Sequence, residues 1–481
     1  MKSLKRISLL LLAALMLVVL ASCKDKEAQS DAKGKGRSGL YQASDIDWPG
    51  PKPQDLGGIT FRIADFHTDR FFPSEGERGT LVGDMKAAVM ESIENDFNIT
   101  FQIINVPPGE MIYRLHPAVW AGDLFAHMVL TTQWAYGPLI GAGLLGDLAS
   151  IPTLNLGSDL WVQPVHRATT IGDKVLATAG IYEFWGNTWV VYFQKALWDE
   201  LKLPDPYEMV RKGEWTWEKL LEYSIIAQQD LTGDGVVDGP NDRWGMVSPG
   251  DDLLRAWYSS MGGLYFDINP ATGRLYSPAA TPDGIAIADW MRSFTEVPGV
   301  WYRASGQTDE LRNEMFVNRR ALFSVGALGV PGEFREMYDD FGILPMPKRN
   351  VKQANYLNNV NHNAPLIGIT QTNNQLAETG IIMEAMAARF AQIRELQRQD
   401  LKDVLLRSDE DDEMLNYIIP NTVFDIGHIM FQASEGGVGF NVPHARLTDY
   451  VTFHAIGDFA SAMEANRDAM ELAANELFFG Q

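Results

Sequence analysis

The chain has 481 residues, 46% hydrophobic and 21% charged, with 40 Lys and Arg against 62 Asp and Glu. That apolar share excludes wholesale disorder, and the length supplies roughly two to four domains' worth of chain. A net charge of −22 argues against nucleic acid, whose phosphates need a cationic footprint. A single cysteine excludes any intramolecular disulfide or multi-thiolate metal site.

Lys2, Lys5 and Arg6 precede an apolar run from Ile7 to Leu20. The run is shorter than the roughly 20 residues needed to span a bilayer and suits the core of a signal peptide. It ends in Leu20-Ala21-Ser22-Cys23, which resembles the lipobox of bacterial lipoproteins. The resemblance implies that residues 1–22 are cleaved and that the Cys23 thiol accepts a diacylglycerol. Removing them leaves 37 cations against 62 anions, so attraction to an anionic bilayer would come from the lipid alone. Residues 23–57 are polar and rich in Gly, Ser and Pro, and read as a flexible tether. The Gly34–Gly39 match to GxGxxG has no strand before it and no helix after it, and the Gly141–Gly146 match runs into Asp147; neither reads as a dinucleotide site.

The body begins with an alternating strand, Ile59–Ala64, followed by an amphipathic helix over Asp84–Phe97 and a strand over Ile99–Val106. Further strands are predicted at Ala126–Thr131, Thr188–Phe193 and Ala321–Val325. Helices are predicted at Thr216–Gln229, at Pro282–Glu296 behind a Thr281 cap, at Asn374–Leu396 and at Asp458–Leu477. The acidic run Asp409–Glu413 reads as a solvated helix start. Alternating strands and helices indicate an α/β body with mostly parallel sheets.

Several segments carry a resemblance: Leu145-Gly146-Asp147-Leu148, the stretch Asp205 to Trp217, Asp230 to Gly235 followed by Trp244-Gly245, Phe341 to Lys348, and Gln353-Ala354-Asn355-Tyr356. Their order and spacing resemble the maltose-binding-protein-like (family 1 type) solute-binding proteins of carbohydrate ABC importers. The resemblance implies a type II periplasmic-binding-protein-like fold, two α/β lobes joined by a hinge and closing on a sugar. It places lobe 1 at 58–185, lobe 2 at 186–357, a return to lobe 1 at 358–402 and a C-terminal helical segment, mostly lobe 2, at 403–481. Gln194-Lys195 departs from the family's usual Asn-Lys.

Sugar rings stack on aromatic faces while their hydroxyls need planar polar partners, and in such sheets the loops after strand C-termini face the ligand. These rules select Thr132, Gln133 and Trp134; His67, Glu77 and Arg78; Phe184, Trp185 and Asn187; Trp257 and Tyr258; and Asn361 and His362. Trp198, Trp215, Trp217 and Trp290 read as structural. Asp230, Thr232, Asp234 and Asp238 match an EF-hand-like spacing without its closing Glu, so a structural Ca²⁺ and an Asx-rich turn both stand; no other cofactor is expected.

The resulting expectation is a monomeric lipoprotein on the extracytoplasmic face of the cell membrane that binds a carbohydrate and delivers it to ABC permease subunits, without being an enzyme. A glycan-active enzyme and a sugar sensor for a membrane kinase stay open, because paired carboxylates are a three-dimensional fact.

Overall fold

A computed structural model describes residues 47–182, 184–304, 309–329, 334, 337, 339–430 and 440–479. The leader, Cys23 and most of the expected tether lie outside the described residues. The architecture rests on strands β1 (Ile59–Asp65), β2 (Ile99–Asn105), β3 (Met128–Thr132), β4 (Trp189–Gln194), β5 (Trp244–Ser248), β6 (Trp301–Arg303), β7 (Ala321–Ala327), β8 (Phe341–Pro345), β9 (Asn358–Asn359), β10 (Pro365–Ile369) and β11 (Thr422–Val423).

Two sheets result. The first has the order β10-β3-β1-β2, with β1 parallel to both neighbours and β10 antiparallel to β3. The second has the order β6-β5-β7-β4-β8. It is parallel across β6, β5 and β7 and antiparallel where β4 meets β7 and β8, so it is more mixed than the strand–helix alternation predicts. Strands β3, β4, β8 and β10 are buried along their whole length, in keeping with their mostly apolar composition.

The helix Leu81–Phe97 starts three residues before the predicted Asp84, because the Thr80 hydroxyl accepts from the Gly83 N–H. It lays Met85, Val89, Ile93 and Phe97 on the first sheet's core. The predicted helix Asn374–Leu396 is two helices, Leu376–Arg389 and Ala391–Leu405. The break falls at Phe390, whose buried ring packs edge-on against Phe71 at 5.6 Å; no Gly or Pro marks it.

The chain leaves the first sheet near 182–188 and returns near 357–364, and these stretches touch through a Thr188–Val360 bridge. Beside them β9 pairs with β11, so a third segment joins the same junction. The helix Asp409–Ile418 packs on β8, Ile426–Met430 packs on the first-sheet helix Gln133–Gly141, and Phe459–Phe479 packs on Pro282–Thr295. Gly137 allows that second contact, since a Cβ there would lie 2.5 Å from the Ile429 carbonyl oxygen.

Two expectations are corrected here. The last part of the tether is docked: Gln54, Leu56 and Gly58 donate backbone N–H bonds to Asp96, Phe97 and Asn98, and the Trp48 ring lies 5.8 Å from the Arg389 guanidinium. A Trp and a Leu give this stretch apolar area to bury, which the polar composition before it lacks. The acidic run at 409–413 is not wholly solvated, because Asp411 is 0% exposed and gathers partners from two other segments.

Candidate functional site

The C-terminal ends of β1 and β3 open onto a cavity of about 460 Å³. Trp134 forms one wall, in the first turn of the helix that follows β3 directly. It is half-buried, and among the described residues no other aromatic ring packs on it. Its N–H donates to the His362 carbonyl, and the Gln133 N–H to that of Ala364, which ties the start of this helix to the return crossing.

Polar walls come from His67 and Arg70 after β1, Thr132 at the end of β3, and Asn187 and Asn363 from the two crossings. The Asn361 N–H donates to the Asn187 carbonyl at 2.7 Å, and the Asn361 side-chain oxygen accepts from the Asn363 N–H. The Thr132 hydroxyl is buried without a partner among the described residues, a hydrogen-bonding capacity left unused beside the cavity.

Arg70 is held in place by charge and by rings. Its Nε donates to Asp65 at 3.0 Å, and its guanidinium lies 5.0 Å from the Phe66 ring centre and 4.6 Å from that of Tyr182. Asp65 is fully buried, and desolvation pushes its carboxyl above the usual range, opposed by Arg70 and by the His67 N–H. Arg70 was absent from the sequence-derived candidates. The signal for it was Asp65 itself, a carboxylate ending a buried strand that needs a counterion close by.

Of the sequence-derived candidates, Thr132, Trp134, His67 and Asn187 line this one cavity. Gln133 and Asn361 brace it from behind, the Gln133 amide donating to the Asn361 carbonyl at 3.1 Å. His362 is turned toward Arg255, 3.0 Å away, and Asp252.

Others lie elsewhere. Glu77 folds back onto its own turn, pairing with the buried Lys86 at 2.7 Å and accepting from Ser74, while Arg78 is exposed. Trp257 and Tyr258 are 0% and 1% exposed. Trp257 stacks on Trp217 with ring centres 4.5 Å apart, so its face belongs to the hydrophobic core. Their helix, Asp252–Ser260, is buried on nearly all sides, which its alternating composition did not announce. Phe184 and Trp185 line a different cavity, with Tyr182.

The Asp230–Asp238 loop is an Asx-rich turn. Asp230 accepts from the N–H groups of Gly233 and Gly235 and from the Thr232 hydroxyl; Asp234 accepts from the Val236 N–H. Asp242, four residues past the last matched position, accepts from the Leu231 and Thr232 N–H groups. Asp230 and Asp234 thus spend oxygens on the loop's own backbone N–H groups, the Thr232 hydroxyl is spent on Asp230, and no group of three or more His, Cys, Asp or Glu that could hold a metal ion occurs among the described residues. Millimolar calcium and EDTA should each leave the thermal midpoint unchanged; a calcium-dependent rise abolished by Asp234→Ala would overturn this reading.

No protein-family model matches the chain, and no curated protein matches it by sequence. Solved structures do match. The cyclic α-maltosyl-1,6-maltose binding protein of Arthrobacter globiformis superposes with a TM-score of 0.58 at 13% identity, over 87% of this chain and 100% of that one. UgpB from Mycobacterium tuberculosis, in complex with glycerophosphocholine, gives 0.55 at 15% identity, over 86% and 98%. An ABC substrate-binding protein from Listeria monocytogenes in complex with cycloalternan gives 0.52 at 13%, over 86% and 98%. At such identities the fold is what is shared, and it extends over nearly the whole of each relative: the chain has the two-lobe α/β fold of the maltose-type substrate-binding proteins of ABC importers.

Proposed function

We propose that the protein is a lipid-anchored extracytoplasmic receptor that binds a carbohydrate at the Trp134 cavity and delivers it to an ABC permease. The observation that carries this reading is an aromatic side chain with no ring partner among the described residues, lining one cavity with Asn187, Asn363, Thr132 and His67. This is the pairing of apolar face and planar or hydroxyl hydrogen-bonding groups that a sugar ring needs. Two of the polar residues sit on the chain crossings, so a ligand here would contact the segments that move when lobes close and would favour the closed state.

The enzyme alternative is disfavoured by the same lining. Glycoside hydrolysis uses two carboxyl groups flanking the bond, and the cavity wall holds neither Asp nor Glu; Asp65 beneath it is bound to Arg70. Sugars are also what two of the three matched structures above bear in their descriptions, the third being a glycerophosphodiester complex.

Thermal-shift screening of the detergent-solubilised chain against a panel of malto-oligosaccharides and other glycans tests the reading. A ligand at 100 times its Kd should stabilise the chain by about 2.7 kcal/mol. Trp134→Ala should then weaken binding by about 1–3 kcal/mol. Unchanged affinity in a folded variant would remove Trp134 from the site, and absence of any glycan ligand would overturn the carbohydrate assignment.

A further inference from the structure

A second cavity, of about 400 Å³, shares no lining residue with the first. Its walls include Trp161, Tyr182, Phe184 and Trp185, contributed by the loop 159–164 and the first crossing; the residues Ile419, Pro420 and Thr422 close it from the third segment of the junction. Of the four aromatic side chains bordering this space, Trp161, Tyr182 and Phe184 are mostly buried in the core and Trp185 is half-buried, so Trp185 offers the most aromatic surface to a ring. Trp161 has its N–H occupied by Glu384 at 3.1 Å, which orients the indole.

Into the same space comes Arg394, from the first turn of the helix Ala391–Leu405. One of its terminal nitrogens, Nη1, is pinned by the carbonyls of Ile181 and Ala387 at 3.2 and 3.1 Å. That leaves the rest of the guanidinium with no bond among the described residues, and no carboxylate pairs with it there. Asp159 and Glu395 border the cavity and are exposed, and Glu395 lies 3.9 Å from Arg398, whose guanidinium sits 4.9 Å from the Trp185 ring centre. Burial alone lowers the pKa of Arg394 to about 10, with no acid contributing. Arg389, by contrast, answers its desolvation with the Asp96 carboxylate at 2.7 Å. Arg394 instead borders a space shared with aromatic residues and has planar donors to spare, and a guanidinium's donor fork matches a carboxylate.

We propose that this cavity is a second ligand site, distinct from the Trp134 cavity, for a small molecule made of a six-membered ring bearing one carboxylate. The ring lies on Trp185 and the carboxylate on Arg394. Sugar acids and aromatic acids share this chemistry. The inference does not depend on the carbohydrate reading of the first cavity.

Calorimetric titration of the full chain in detergent with D-glucuronate, benzoate and neutral D-glucose tests it. At least one of the two acids should bind, and which one binds more tightly identifies the source of the carboxylate. Arg394→Gln should weaken that binding about tenfold or more, Arg394→Lys, which keeps the charge and loses the fork, should restore only part of it, and Trp134→Ala should leave it intact. A thermal melt without probe shows that each variant folds. The proposal is overturned if neither acid binds, if glucose binds at this site as well as the acids do, or if Trp134→Ala abolishes acid binding while Arg394→Gln does not.

Discussion

Replacing Asp411 by alanine should cost about 3–5 kcal/mol of stability, read as a fall in the urea midpoint. The carboxylate is 0% exposed and sits in the first turn of the helix Asp409–Ile418. It accepts from the Tyr207 hydroxyl at 2.6 Å, the Ile343 N–H of β8 at 2.9 Å and Lys195 Nζ at 3.1 Å, and also from Ser408 and Arg407. Truncation would strand a buried hydroxyl, a buried strand N–H and an ammonium together, and the penalty of those orphans is larger than the net worth of the ion pair. Three chain segments meet at this one side chain, so the loss should fall on the second lobe as a unit. Asp411→Asn keeps an acceptor and should lose less. A cost below about 1 kcal/mol for the alanine variant would mean that the network relaxes or takes in water.

Acid should destabilise the protein between about pH 6.5 and pH 4, largely through buried histidines. His166 is 8% exposed, with Nε2 2.7 Å from the Thr178 hydroxyl, and burial lowers its pKa to about 4, with Arg167 adding to the shift. A depressed folded pKa gives stability that is present above the unfolded pKa and lost as pH falls toward the folded one. By linkage, His166 alone accounts for about 2–3 kcal/mol across that window. Burial also holds His428 and His444 well below the ordinary value, and they act in the same direction.

One group opposes them. Burial pushes the Asp425 carboxyl up to about 7 despite N–H bonds from Tyr265, Gly427 and Phe266. Its contribution is present at low pH and is lost as pH rises through 7, so it offsets part of the acid loss. Urea midpoints at pH 7 and pH 4.5 should therefore differ by less in His166→Gln than in the natural chain, and by more in Asp425→Asn. Equal pH dependence in all three would overturn the assignment.

How far the chain could be read without coordinates depends on the range of the interactions involved. Strand β1, the helix after Thr80 and the helix after Thr281 follow from periodicity and capping groups a few residues apart, and the structure has them within a few positions. The break at Phe390 comes from a ring meeting Phe71, more than 300 positions away, and nothing local encodes it. The candidate site divides the same way. Trp134, Thr132 and His67 were identifiable because each follows a strand, whereas Trp257 and Tyr258 met the same local criterion and are core. Aromatic type gives affinity for either a sugar face or an apolar interior, and only the neighbours decide between them.

Composition determined, by itself, that this is an acidic chain with one thiol and no polythiolate chemistry, and the local pattern gave an α/β body. Those properties depend on residue identity and on contacts within a turn or two. Tertiary structure alone decided that Asp411 in the acidic run is buried and that Asp230 spends its carboxylate on its own loop's backbone. It also decided that Trp134 and Trp185 serve separate cavities and that Arg394 has no acid beside it. Burial and charge pairing are set by which distant segments meet, and a charge count carries no record of those meetings.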